Sequence, residues 1–172
     1  MSATHKGTAA DDVDVEDRLQ PIHASSQYLS KYRSAVQIRD IPTFHLDEPM
    51  ELGGENMGPT PLENVLGSLC ACTSMIVYIL KREMNFQYDD MRCEADGVTD
   101  LRRVEMKRTG KKYTEVEPIA YHFHSVDMTI YIKTEEPEDR FEEMKLQVAR
   151  LCPVSKLIED SGVPFNVTWI RE

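Results

Sequence analysis

At 172 residues, with 41% apolar and 29% charged side chains, the chain is sized and composed as one globular domain that can bury a core. Its net charge of −10 argues against a nucleic-acid partner, which calls for a basic face, and disfavours an anionic membrane surface. The N-terminus carries no apolar signal-like run, so a reducing, cytoplasmic compartment is expected. There the four cysteines, Cys70, Cys72, Cys93 and Cys152, are free, metal-bound or redox-active rather than locked in structural disulfides.

Residues 1–20 are polar and acidic, with Asp11, Asp12, Asp14, Glu16 and Asp17, and read as a disordered tail ahead of a single domain over 21–172. From His23 to Leu46 come two short strand-like runs. The first holds Tyr28 and Tyr32. The second reads Ala35-Val36-Gln37-Ile38-Arg39, with Phe44 and Leu46 beyond it, and Lys31 to Ser34 is expected to turn between them. Asp47-Glu48-Pro49 breaks the pattern, and Gly53-Gly54 frees the backbone to reach the next element.

That element is the organising stretch of the chain. Thr60-Pro61-Leu62-Glu63 has the form of a capping box with proline at the first helical position. Val65, Leu66, Leu69, Cys70, Cys72, Met75, Ile76, Val77, Ile79 and Leu80 then cover most of the circumference of a helix. A helix apolar nearly all round is expected to be a buried one. Asn64, Ser68, Thr73 and Ser74 interrupt the run, and it stops at Lys81-Arg82. The uninterrupted part is shorter than the roughly 20 residues a bilayer span requires, which predicts the central helix of a soluble domain.

Phe86 to Ala95 alternates as a strand, and Asp96-Gly97 is expected to open a turn. Arg102 to Lys112 is basic and reads as a solvated hairpin face. Val116 to Lys133 is the clearest strand, with Met128, Ile130 and Ile132 on one face and Asp127, Thr129, Tyr131 and Lys133 on the other. Acids from Glu135 to Asp139 start a second helix, whose apolar stripe is Phe141, Met144, Val148 and Leu151. Pro153 ends that helix or begins a short third one, and Phe165, Val167 and Trp169 alternate in a closing strand. The order predicts an α+β fold with antiparallel pairing.

Among chemically capable residues, Cys72 reads either as a small buried hydrophobe or as a reactive thiol. Cys70, two positions away, points elsewhere and reads as structural, and Cys93 reads as a core residue. Cys152 is the residue before Pro153. If that proline opens a helix, Cys152 is its N-cap, where helix amides favour a thiolate; otherwise it is a small residue at a corner. His122-x-His124 with Cys93 falls short of a metal cluster, and no nucleotide-binding or serine-nucleophile motif is present.

The set Glu48-Pro49, Leu52-Gly53-Gly54, Gly58-Pro59-Thr60-Pro61-Leu62-Glu63 and Leu69-Cys70-Ala71-Cys72-Thr73 resembles the signature of the OsmC/Ohr superfamily. Leu151-Cys152-Pro153-Val154-Ser155 resembles its second cysteine motif. The likeness spans about Ser25 to Glu172, and the form G-P-x-P-L-E is similar to the broad OsmC-like branch. It implies an intertwined homodimer of α+β fold, with antiparallel sheets wrapped around long central helices and active sites at the subunit interface. It further implies reduction of organic hydroperoxides in the oxidative stress response. Cys72 would be the peroxidatic thiolate and Cys152 the resolving cysteine. An external dithiol would be the reductant, with neither cofactor nor metal. An arginine from the N-terminal strands, Arg39 first and Arg33 second, would stabilise the thiolate, held by a glutamate near the helix start. In the peroxidases that glutamate directly follows the proline, where this chain has Leu62. Glu63 comes one position later and nine residues before Cys72, on the opposite side of an ideal helix, so capping is its other role.

Two functions are therefore carried forward. One is a thiol-dependent peroxidase acting on organic hydroperoxides, with Cys72, Cys152, Arg39 and Glu63 as its site. The other is a non-catalytic OsmC-like dimer that binds a small apolar ligand at the subunit interface, with the cysteines as packing.

Overall fold

The computed structural model describes residues 19–100, 106, 108–115 and 123–172. The acidic tail up to residue 18, residues 102–105 and 107 of the basic segment, and His122 with the start of its strand lie outside them. The described chain forms two compact units that divide between Thr60 and Pro61.

The first unit is an antiparallel meander of three strands, one more than the sequence pattern showed: β1 (Ser25–Ser30), β2 (Arg33–Gln37) and β3 (Phe44–Leu46). Lys31, at φ 47°, turns the chain from β1 to β2. Gln37 closes the next turn by donating to the carbonyls of Arg39 and Ile41 at 2.7 and 2.8 Å. Asp47, only 1% exposed, organises the loop that follows. Its carboxylate accepts the amides of Glu48, Glu55 and Met57 at 2.8, 3.1 and 3.2 Å. Gly54 is required beside it, because a Cβ there would stand 1.8 Å from the Glu48 carbonyl oxygen.

Among the described residues, the second unit holds a three-stranded sheet and three helices of eight residues or more. Its strands run β4 (Asp90–Thr99), β5 (Phe123–Lys133) and β6 (Phe165–Arg171), in that order across the sheet. Helix α1 is Pro61–Glu83, α2 is Glu138–Leu151 and α3 is Pro153–Asp160. Four expectations change here. Asp96 and Gly97 do not turn; they continue β4, opposite Asp127 and Val126. Glycine is there because the Phe123 ring lies on it. β4 and β5 pair antiparallel as expected, but β6 joins β5 in parallel, since α2 and α3 form the crossover that a parallel neighbour needs. Leu151 is exposed, while Phe141, Met144 and Val148 are buried.

The fourth change concerns α1. It is not buried all round: Leu69, Thr73, Val77 and Leu80 form one buried stripe, while Met75, Tyr78 and Ile79 are 66%, 56% and 46% exposed. By length and composition alone this 23-residue helix could cross a membrane. Its buried stripe is instead the spine of the domain core. Val77 and Leu80 pack with Phe86, Ile132, Phe141 and Met144, and Leu69 packs with Phe123, Val126, Met128, Ile130 and Ile158. Each of these side chains stabilises the fold by about 1.5–3 kcal/mol relative to exposure. Trp169 touches both clusters, edge-on to Phe141 at 5.9 Å.

Candidate active site

Pro153 opens α3, which makes Cys152 both the last cap of α2 and the N-cap of α3. The abrupt change of direction at the proline carries the Cys152 side chain inward, to 1% exposure. There it meets α1. Cys72, partly exposed, lies within hydrogen-bonding reach of the Cys152 sulfur. Both thiols are free. The amino end of α3 faces both sulfurs: the Val154 amide approaches Cys72, and the Ser155 amide and hydroxyl approach Cys152. Ser155 does this without closing a full capping bond to the sulfur.

The two thiols are driven in opposite directions. Burial pushes Cys72 up, the Val154 amide opposes this, and the neighbouring Cys152 reinforces the rise. Burial also acts to raise Cys152, but the Ser155 hydroxyl and amide, the Thr73 hydroxyl and the Cys72 thiol outweigh it and leave Cys152 below an ordinary thiol. Such a pair titrates as a unit, so the first proton lost belongs to both sulfurs jointly.

The other two cysteines are set apart chemically. Burial raises Cys70, and pushes Cys93 to about 11 although Ser74 donates to its sulfur from 3.9 Å. Neither is ionised near neutral pH. Cys70 and Cys72 thus face different neighbours, as their spacing of two on a helix requires.

Thr73 and Ser155 complete the site. Thr73 is fully buried, with its hydroxyl oxygen 3.7 Å from the Cys152 sulfur and 3.6 Å from that of Met128. Ser155 is 4% exposed. The sequence reading passed over both. Ser155 had a legible signal, standing third in a helix opened by Pro153; Thr73 had none beyond adjacency to Cys72. A cleft of about 380 Å³ opens between α2, α3 and β6, lined by Met128, Val148, Phe165, Val167 and Trp169 and also by Ser155, Glu142, Lys145 and Glu159; neither thiol lines it.

The remaining candidates stand as follows. Glu63 is exposed on the first turn of α1. In the first unit Arg39 is exposed beyond the end of β2, at φ 50°. Arg33, half-buried on β2, pairs with Glu55 at 3.3 Å and has a buried Nε without an acceptor. His124 is exposed on β5. Among the described residues no group of three or more His, Cys, Asp or Glu converges as a metal cage.

Residues 53–168 match the OsmC-like protein family, and the chain belongs to it. Its fold is that of an OsmC-like protein from Mycoplasma pneumoniae, with a TM-score of 0.70 at 13% identity over 88% of this chain and 97% of that one. An organic hydroperoxide resistance protein OsmC from Legionella pneumophila superposes with a TM-score of 0.63 at 16% identity, over 90% and 98% of the two chains. An organic hydroperoxide resistance protein from Elizabethkingia anophelis gives 0.65 at 13% identity, again over 90% and 98%. No curated protein sequence matches the chain.

Proposed function

We propose that the protein is a cysteine-based peroxidase that reduces organic hydroperoxides as part of an oxidative stress response. The observation that carries this reading is the meeting of Cys72 and Cys152, distant in sequence, at the amino end of α3. The partly exposed Cys72 attacks the terminal peroxide oxygen. The O–O bond breaks, Cys72 becomes a sulfenic acid, and the alcohol leaves. Cys152 then displaces hydroxide, released as water, and a disulfide forms. An external dithiol returns both sulfurs to the reduced state. The chemistry calls for no cofactor or metal.

The names of the Legionella and Elizabethkingia proteins agree with this chemistry. The exposed apolar face of α1 supports a homodimer, since a helix of this kind buries its second face against a partner. A cytoplasmic location suits thiols that must be reduced again after each turnover. An arginine beside the thiols remains part of the proposal. Arg33→Ala and Arg39→Ala, compared for turnover and for the pH dependence of Cys72 alkylation, identify which one serves. Glu63→Gln separates a catalytic carboxylate from a helix cap, because only the first lowers turnover.

The second reading, a ligand-binding dimer with inert cysteines, draws on the cleft between α2, α3 and β6. One experiment separates the two. The reduced protein is treated with cumene hydroperoxide and its peptides are mapped by mass spectrometry. A single Cys72–Cys152 disulfide, with hydroperoxide consumed when a dithiol is supplied, supports the peroxidase. An unreacted pair and an undiminished hydroperoxide refute it.

A further inference from the structure

Two thiols of the second unit take no part in the proposed chemistry, and they sit together. Cys70 is on α1 and Cys93 on β4, both half-buried and both free. Ser74 joins them. It stands one turn after Cys70 on the same side of α1, with its hydroxyl oxygen 3.0 Å from the Cys70 carbonyl oxygen and 3.9 Å from the Cys93 sulfur. Cys93 packs, with Met91 and Ala95, against the core cluster of Leu69. Cys70 is close enough to oppose ionisation of Cys93.

This pair also borders the first one. Thr73 and Ser74 are consecutive on α1. The Thr73 hydroxyl lies 3.7 Å from the Cys152 sulfur, and the Ser74 hydroxyl 3.9 Å from that of Cys93. Ala95, two places along β4 from Cys93, is paired with Met128 of β5, whose sulfur is 3.6 Å from the same Thr73 hydroxyl. Cys93 feels the charge of Cys152 as well as that of Cys70. The four sulfurs thus follow one another through the core in the order Cys72, Cys152, Cys93, Cys70.

We propose that Cys70 and Cys93 are a second redox pair, which takes over the oxidation held by the Cys72–Cys152 disulfide and closes a disulfide of its own between α1 and β4. This rests on the reading that a hydroperoxide oxidises Cys72. Each step balances. Cys93 gives its proton to solvent and attacks the Cys152 sulfur; the Cys72–Cys152 bond breaks, and Cys72 leaves as a thiolate that solvent protonates. Cys70, deprotonated in the same way, attacks the Cys93 sulfur of the Cys93–Cys152 mixed disulfide, and Cys152 leaves. Two electrons pass from Cys70 and Cys93 to Cys72 and Cys152 with no further reactant. Cys72 is then free to meet a second hydroperoxide.

Burial raises both thiols of the second pair, Cys93 to about 11. The titratable groups facing Cys93 are Cys70 from α1 and Cys152 from the junction of α2 and α3; Glu94, next on β4, bears on Cys70. Only a thiolate attacks, so the transfer is slow at neutral pH and quickens by about tenfold per pH unit below that value. A pair whose thiolates are disfavoured gives a disulfide that resists reduction, which sets the direction.

The pair is tested first without hydroperoxide. A Cys72→Ala, Cys152→Ala double variant, its fold checked by circular dichroism, is oxidised with diamide and its peptides are mapped. A Cys70–Cys93 disulfide is expected; two alkylatable thiols in the folded variant overturn the proposal. The wild type is then given one equivalent of cumene hydroperoxide per chain without dithiol, and samples are alkylated at intervals. Early samples should hold Cys72–Cys152 and late ones Cys70–Cys93, with the change about tenfold faster at pH 8 than at pH 7. A second equivalent should then be consumed, whereas Cys93→Ala should stop at one. A Cys72–Cys152 disulfide that persists in the wild type, with uptake ending at one equivalent, overturns the proposal. Hydroperoxide left unconsumed, while diamide still joins Cys70 to Cys93, defeats the peroxidase reading and leaves the second pair standing.

Discussion

Cys72 and Cys152 lie close enough for each thiol to shift the other's titration, the first partly open to solvent and the second buried. The difference in access assigns the order of events. In Cys152→Ser treated with cumene hydroperoxide, dimedone should label Cys72 and no intramolecular disulfide should form. Steady-state turnover with a dithiol should fall by at least about a hundredfold. In Cys72→Ser, Cys152 should stay unlabelled at the same dose, because burial withholds it from the oxidant. Labelling of Cys152 in Cys72→Ser would reverse the assignment of attacker and resolver.

Asp47 makes a prediction about acid stability. Burial acts to raise its carboxyl, but the amides of Glu48, Met57 and Glu55 and the charge of Arg33 outweigh it and hold the group below 3.8. The folded value is depressed relative to the unfolded one. Its stabilisation is therefore complete above the ordinary carboxylate value, and drains away as pH falls through the folded value. Asp47→Asn should lower the Tm at pH 7 by roughly 3 °C or more and flatten the acid limb of the Tm-against-pH curve below pH 4. Calorimetry across pH 2.5–7 checks it; an unchanged acid limb would remove Asp47 from the account.

How much of this was legible in the sequence depends on where the information lies. The N-cap position of Cys152 could be read because Pro153 fixes it locally. The buried face of β5 could be read because Met128, Ile130 and Ile132 repeat every second residue. The parallel pairing of β6 could not, since it follows from the path of α2 and α3 rather than from any pattern within the strand. The one-sided burial of α1 was hidden for a related reason. An apolar circumference records every surface a helix covers, including those of a partner subunit, and Met75, Tyr78 and Ile79 are exposed in the isolated chain. Thr73 was missed because a buried hydroxyl is recognisable only once its sulfur neighbours, on α3 and β5, are in place.

Gly97 tests the reading of β4. A Cβ built there stands 2.4 Å from Cε1 of Phe123 and 3.3 Å from Cδ1 of Leu66. Phe123 belongs to the core cluster of Leu69, Val126 and Ile130 and has little room to withdraw. Gly97→Ala should cost about 1–3 kcal/mol by overpacking. That corresponds to a fall in Tm of roughly 2–4 °C for each kcal/mol in a chain of this size. Gly97→Ala combined with Phe123→Leu should recover part of the loss, because the smaller side chain vacates the contact. If the alanine variant melts with the parent, β4 is not packed as described.

The exposed face of α1 makes the last prediction. Met75, Tyr78 and Ile79 are spaced at i, i+3 and i+4 and stand on one side of the helix, with the small residues Gly67, Ser68 and Ala71 continuing that side toward its start. Large apolar groups above and small ones below suit another helix lying close along the same line, and a second copy of α1 is the occupant the proposed homodimer supplies. The wild type should run at twice the chain mass in light scattering after size exclusion. Met75→Glu and Ile79→Glu together place two carboxylates on each copy of that face, four in the dimer, where like charges meet with little water to screen them. The double variant should run at the chain mass, with far-UV circular dichroism unchanged because both positions lie outside the buried stripe of Leu69, Thr73, Val77 and Leu80. A variant that remains dimeric would move the interface off this helix, and a wild type at the chain mass would withdraw the dimer.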